Sequence, residues 1–504
     1  LLAGVAFLFS LGSLALASPS PLPAAAVAGS LADAYVRAHR LVSTSDAAAQ
    51  AAFDDGLTLL YAFNPEQARV SFEQALAADP HLALAWWGVA MSHGININTS
   101  FEASAQRQGR DAIAKARALE SYATPVERAL IEGAAQRFAY VRDADADRSA
   151  RAYRDAMYAT ASDYPNDDDV AVLAAEAEMD VHPWSYFDED GSATAGTSGI
   201  VSRLETVLAR TPAHIGAEHL LIHALEESND QGPALEAARR LAADRFEPAA
   251  EHLTHMPSHT FMRAGFYHEA GLANARAVDS YRVYLANAPA GHADYLGHDC
   301  VFGVDAFMLS GEYARARALA LACNGGAGGL LAAVDLRFAH FDALAQDRDP
   351  GAFAAGMLAV HDGREAAAGA QLSALRVEKN DTGRIATALL EAALGALHGD
   401  RSAEIAALER AAAVQDREGY SEPPEFWMNA NVPLGAADFR AGRFPAAERA
   451  FRTALEQERD DPRALFGLAR TLEREGRADD ARATDIRFRA AWRDADTDLD
   501  MNDL

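Results

Sequence analysis

Residues 433–481 read PLGAADFRAGRFPAAERAFRTALEQERDDPRALFGLARTLEREGRADDA, and the spacing inside this stretch decides the fold. Gly442 recurs as Gly476 and Ala447 as Ala481, each 34 residues on, while Gly435 is matched by the small Ala469. Between these points the apolar residues recur at helical spacing. Small residues stand where two helices of a hairpin approach closely, large apolar ones fill the gaps, and Pro462 opens the next unit.

This pattern resembles the tetratricopeptide repeat, a helix-turn-helix unit of that period. Weaker copies lie upstream. Residues 56–90 carry Ala68, Phe72, Ala75 and Pro80 at fitting places, and Gly265, Tyr267 and Ala270 mark one inter-helix turn, as Gly311, Tyr313 and Ala316 mark another. Helical periodicity persists along the chain and no segment reads as sheet. The resemblance implies an all-α protein, a TPR-like α-solenoid of helix-turn-helix repeats with a concave groove. The expected organisation is a signal peptide and linker at 1–29, a helical array carrying most histidines at 30–400, and C-terminal repeats with an acidic tail at 401–504. Breaks in the pattern fall at 94–100, 143–147, 180–198, 324–329 and 416–433.

Half of the 504 residues are apolar, enough for a large core, and the net charge is −28. Lys115 and Lys379 are the only lysines, so nearly every cation is arginine. So acidic a surface repels phosphate backbones, and no nucleic-acid partner is expected. The apolar run at 1–17, LLAGVAFLFSLGSLALA, ends in Ala15-Leu16-Ala17 before Ser18-Pro19-Ser20-Pro21. It reads as the core of a secretory signal, which predicts a secreted or periplasmic protein with no membrane contact after cleavage. A membrane anchor would need about 20 apolar residues. An oxidising compartment permits Cys300 and Cys323 to pair, but their separation in sequence leaves the pairing open.

The histidines carry the chemistry. Nine of the sixteen fall between His214 and His298: His214, His219, His223, His252, His255, His259, His268, His292 and His298. His219 and His223 are four apart, as are His255 and His259, so each pair shares a helix face. Pro257, inside HMPSH, is a reason for the second pair to part, since it can start or kink a helix. Counted from Gly232, Gly265 and Gly311, the residues His219, His252 and His298 each lie 13 positions earlier. The repeat resemblance implies that this position, with those three and seven residues on, faces the groove: His252, His255 and His259 in one unit, His298, Val301 and Asp305 in the next. Neutral imidazoles are ligands for copper, zinc, iron or nickel. The predicted metal ligands are therefore His219, His223, His252, His255, His259 and His298, with Asp305 as catalytic acid or base. A grouping of His214, His219 and His223 against His252, His255 and His259 would serve two ions. Copper is favoured over zinc or iron, with Met262 and Cys300 nearby as soft groups. Neither histidine segment is HExxH, and Glu218 and Glu251 are candidates for outer hydrogen bonds to the imidazoles.

The chain also resembles a narrower set of bacterial, exported TPR proteins with no settled activity. The shared segments stand here as WWGVAMSHGININ (86–98), HPWSYFDEDG (182–191), AEHLLIHALE (217–226), EHLTHMPSHTFMRAGFY (251–267) and SEPPEFW (421–427). Where that set has HNxHF, this chain has His298-Asp299-Cys300-Val301-Phe302, so Val301 removes one ligand. His93, Asn96 and Asn98 complete the groove or cap a turn. His182, Trp184 and Tyr186 form a lid or anchor their loop, and Glu422 and Glu425 flank a rigid Pro423-Pro424 connection. No G-x-S-x-G elbow, P-loop, dinucleotide fingerprint or CxxC occurs. Three functions fit: a metal-dependent oxidoreductase taking a small or peptide-like substrate in the groove, a scaffold binding a peptide or protein partner, or a metal store or carrier.

Overall fold

The C-terminal register becomes two helical hairpins, Asn431–Arg440 with Phe444–Gln457 and Pro462–Arg474 with Ala478–Ala491. Gly442 and Gly476 make the turns at φ of 75° and 78°, a left-handed conformation that glycine alone adopts without steric cost. Asp461 caps the third of these helices, accepting the N–H groups of Arg463 and Ala464, and Pro462 occupies its first position. A Cβ on Gly435 would stand 2.7 Å from the Phe451 ring, and one on Gly467 would also run into it. The small residues are there to let the helices touch.

This computed structural model describes residues 35–188, 191–289, 294–323 and 329–504. The apolar run assigned to export and His292 lie outside the described residues. From Ala47–Tyr61 to Ala478–Ala491 helix follows helix, and among the described residues the only β-pairing is one bridge between Phe187 and Ala193. The all-α solenoid of helical hairpins is therefore the fold. Tyr35–Leu504 is a single compact unit, and the turn at residue 400 joins two helices that pack on each other. No helix among the described residues is long and apolar enough to cross a membrane.

Both ends of the array fold onto its middle. Val36 donates its N–H to the Arg245 carbonyl at 2.9 Å, and the Asn64 amide donates to the Ala249 carbonyl at 2.8 Å. From the other end, the Tyr267 hydroxyl donates to the Arg459 carbonyl at 2.7 Å and Arg463 to the Met308 carbonyl at 2.9 Å. Asp496 accepts the N–H groups of Tyr313 and Ala314 at 2.8 and 2.9 Å. The middle helices are enclosed as a result. Every residue of Ile215–Leu225 is buried, as its nearly unbroken apolar sequence requires. The histidines expected to line a groove are thus interior, with His219 and His255 at 0 % exposure.

The two register glycines Gly265 and Gly311 end their helices at φ of 81° each. Gly232 does not: it opens the helix Gly232–Ala243. The expected three-way equivalence therefore holds for two glycines only. Cys300 and Cys323 are joined by a disulfide with 6.0 Å between Cα atoms, tying Leu296–Ser310 to the end of Tyr313–Ala322.

Candidate metal centre

Three pieces of chain supply six histidines. Ile215–Leu225 carries His219 and His223, the pair Glu251–His255 and Pro257–Ala264 carries His252, His255 and His259, and Leu296–Ser310 carries His298. Pro257 starts the second short helix, but Met256 before it keeps helical angles of −49° and −38°. The backbone therefore continues in the helical sense, and His255 and His259 stay on one face. Their Nε2 atoms are 2.8 Å apart, and the His298 Nε2 is 3.2 Å from that of His255. The six residues form two trios: His219, His223 and His252, then His255, His259 and His298, with the ligand atoms of each within 4.8 Å of one another.

All six predicted ligands come together, but the division differs from the one expected. His252 joins the first trio, and His298 completes the second. His214 belongs to neither. It caps its helix, its Nδ1 accepting the Ala217 N–H at 3.3 Å, and its Nε2 lies 3.3 Å from Asp169. His252 thus lies with His219 and His223, and His255 with His259 and His298, although 252 and 255 are only three residues apart.

Partners on the far side of three rings set their tautomers, and a fourth ring has a carboxylate close behind it. The His219 Nδ1 lies 2.6 Å from the Tyr61 carbonyl oxygen, which can only accept, so Nδ1 donates. The His255 Nδ1 lies 2.6 Å from Asn274 Oδ1, and the Asn274 amide nitrogen donates to the Ala270 carbonyl at 3.0 Å, which fixes the amide's direction. The His259 Nδ1 is 2.8 Å from Glu422 Oε2. The His223 Nδ1 is 2.6 Å from Glu226 Oε1, close but not aligned as a hydrogen bond. With Nδ1 holding the proton, Nε2 presents a lone pair inward. The His219 Nε2 and both His252 nitrogens have no hydrogen-bond partner although they are buried. Unpaired nitrogens so deep in a protein carry a desolvation cost, and a bound cation removes it.

Electrostatics agree with neutral rings. Burial, reinforced by neighbouring histidines, holds His219, His223, His252 and His255 well below the ordinary imidazole value, and His298 down to about 3. His259 differs. Burial lowers it, but the Glu226 and Glu422 carboxylates outweigh burial and raise it. Burial in turn pushes Glu226 up to about 7. Aromatic rings wall the site: Phe63 packs on His219 at 4.5 Å between centroids, Trp184 meets His223 edge-on at 5.4 Å, and Tyr295 stacks on His252 at 4.4 Å. Phe63 and Trp184 are two of the four described non-glycine residues with positive φ. Such backbone persists where surrounding structure over-determines it, often at functional sites.

Other expected site residues fall elsewhere. Asp305 is buried with both carboxylate oxygens unpartnered, and burial pushes it up to about 7. The charges that act on it most are Arg337, Asp461 and Glu422, not a histidine. Val301 is 37 % exposed and so does not face the site. Cys300, being in the disulfide, offers no thiolate. Glu218 pairs with Arg240 at 2.5 Å instead of a histidine, and Glu251 sits beside Asp299, whose Oδ1 is 3.1 Å from the His255 Nδ1. Asn96 caps a turn, accepting the Asn98 N–H at 2.9 Å. Sequence reasoning missed Asn274, Glu226 and the Tyr61 carbonyl, and it read Glu422 as part of a stiff connection. Glu226 follows His223 by three residues and was legible as an i,i+3 neighbour; Glu422 lies 163 residues from its partner and was not.

The tetratricopeptide repeat family matches at residues 438–484. That stretch of the chain carries a tetratricopeptide repeat. No curated protein matches the chain. Among solved structures it is similar to the human IFIT1 dimer with m7Gppp-AAAA, at 11% identity and TM-score 0.31, covering 87% of this chain and 90% of that one. It is similar also to yeast Tom70, at 11% identity and TM-score 0.28, covering 90% and 93%. The Cut9–Hcn1 hetero-tetramer of the APC/C gives 12% and 0.28, covering 90% and 95%. Scores this low transfer no residue role.

Proposed function

We propose that this protein holds two transition-metal ions, one in each histidine trio, and uses them in oxidation of a small or peptide-like substrate outside the cytoplasm. One observation carries the reading: the Nε2 atoms of His255 and His259 stand 2.8 Å apart while their Nδ1 atoms face Asn274 and Glu422. Two nitrogens at that distance need a proton or a metal ion between them, and a metal ion also serves the third imidazole, His298, whose Nε2 is 3.2 Å from that of His255. Copper is the proposed metal, because an imidazole set binds it more tightly than zinc or iron, and magnesium and calcium want oxygen. When bound, a redox-active pair would supply electron transfer to and from dioxygen. The protein's part is to aim the Nε2 atoms, keep them unprotonated, and limit water.

A scaffold that offers histidines to a peptide is less well supported, since rings this deeply buried cannot reach a partner laid on the surface. A metal store remains the alternative. Untagged protein reconstituted with copper, zinc or iron should take up stoichiometric metal, copper best, and His219→Ala and His255→Ala should each lower the uptake while helical circular dichroism persists. Absence of metal uptake would sink the reading. Oxygen consumption by the copper form divides enzyme from store.

A further inference from the structure

A cavity of about 560 Å3 opens onto both trios, reaching His223, His252, His259 and His298. Its size suits a small molecule. The rest of its wall is chemically one-sided. Trp184, Tyr295 and Tyr420 offer aromatic rings, Glu226, Glu227 and Glu422 offer carboxylates, and no lysine or arginine lines it among the described residues. Two of the carboxylates are engaged, Glu226 beside His223 and Glu422 at His259. Glu227 touches neither histidine; it accepts the Phe187 backbone N–H, and the Arg263 charge acts on it from a neighbouring cavity.

We propose that this cavity binds a small aromatic amine as its cation, the ring between Trp184 and Tyr295 and the ammonium on Glu227. The proposal rests on the metal-site reading only for what happens after binding; the recognition is the cavity's own. Two observations converge on a ligand here. Trp184 is held at a left-handed φ of 56° with its Nε1 donating to the Ile97 carbonyl at 2.7 Å, which fixes the ring as a wall. Glu227, Tyr420, Ser421 and Glu422 also line a second cavity of about 640 Å3, whose wall includes Asp416, Glu418 and Glu458. A cation approaching through that chamber meets seven carboxylates against Arg263, Arg459 and Arg487, so the balance of charge favours it over an anion. Aromatic faces and an ammonium attract each other, which adds to the same preference. Burial raises Glu227 above the ordinary carboxylate value, and a bound ammonium would relieve that cost.

Three probes share one ring and differ in charge: 2-phenylethylamine, 2-phenylethanol and 3-phenylpropanoate. Calorimetric titration into the full protein, copper-loaded and metal-free, should show the amine binding roughly tenfold or more tighter than the carboxylate, as a charge-assisted hydrogen bond allows. Glu227→Gln should shrink that ratio to within about threefold. Trp184→Ala should weaken all three probes, and a thermal melt by circular dichroism establishes that each variant is folded. Glu418→Gln, in the outer chamber, should leave most of the ratio in place. The proposal is overturned if the carboxylate binds as tightly as the amine, if Glu227→Gln leaves the ratio intact, or if Glu418→Gln collapses it equally, since the preference is then the bulk field of the chain. Metal measured on the same samples separates the two readings: metal without charge preference removes the amine alone, and charge preference without metal removes the metal centre alone.

Discussion

Four of the six imidazoles, those of His219, His255, His223 and His259, have an oxygen behind the ring: the Tyr61 carbonyl, the Asn274 amide, and the Glu226 and Glu422 carboxylates in turn. Such outer partners raise ligand basicity and hold ring orientation. Asn274→Leu keeps an apolar fit but deletes the acceptor. It should weaken metal at the second trio about 10- to 100-fold and leave the first unchanged, read by titration of each site. His259 sets a pH dependence. Its raised value means that it gains a proton at a higher pH than an ordinary imidazole, whereas the five depressed rings stay neutral there. Protons compete with metal, so lowering the pH from 8 to 6 should empty the second site before the first. Simultaneous loss from both would contradict this assignment. The six clustered histidines were legible in sequence, four of them from i,i+4 spacing and His252 and His298 from the repeat register; their division into trios was not, because it depends on which way each ring of 252–259 turns.

At the scale of elements, two short helices meeting at Pro257 behave as one ligand-bearing segment, and the disulfide fastens the helix that brings His298. Closing a loop of this length constrains the unfolded chain by about 3 kcal/mol. Replacing both Cys300 and Cys323 by serine should therefore lower unfolding free energy by about that amount in denaturant melts. It should also weaken metal at the second trio, because the freed helix is the one carrying His298. The hairpins themselves were readable from the 34-residue recurrence of Gly442 and Gly476. Gly232 misled because a glycine opening a helix and one closing it look alike in sequence, and only backbone angle separates them.

The whole molecule explains why histidines in a repeat array end up inside. The two ends wrap the middle, and Gly265 is one of the points where the C-terminal repeats touch it: a Cβ there would stand 2.7 Å from the Arg459 carbonyl oxygen. At φ 81° an alanine is strained as well, so Gly265→Ala should cost more than about 1 kcal/mol in a thermal or denaturant melt. An unchanged melt would mean that this contact does not help hold the array closed. Long-range closure left no periodic trace in the sequence, which is why the groove was expected and the enclosed site, with Glu422 reaching His259, was not. The −28 charge takes on a sharper meaning in this setting: the acidic surface continues into the approach to the site, where it favours cations. The account stands on two metal positions. Anomalous scattering at the copper edge, from crystals of copper-loaded protein, tests them most directly. It should give two peaks per chain, each about 2 Å from the Nε2 atoms of one trio, as metal–imidazole bonds require. Peaks confined to surface carboxylates, with none among the six histidines, would contradict it.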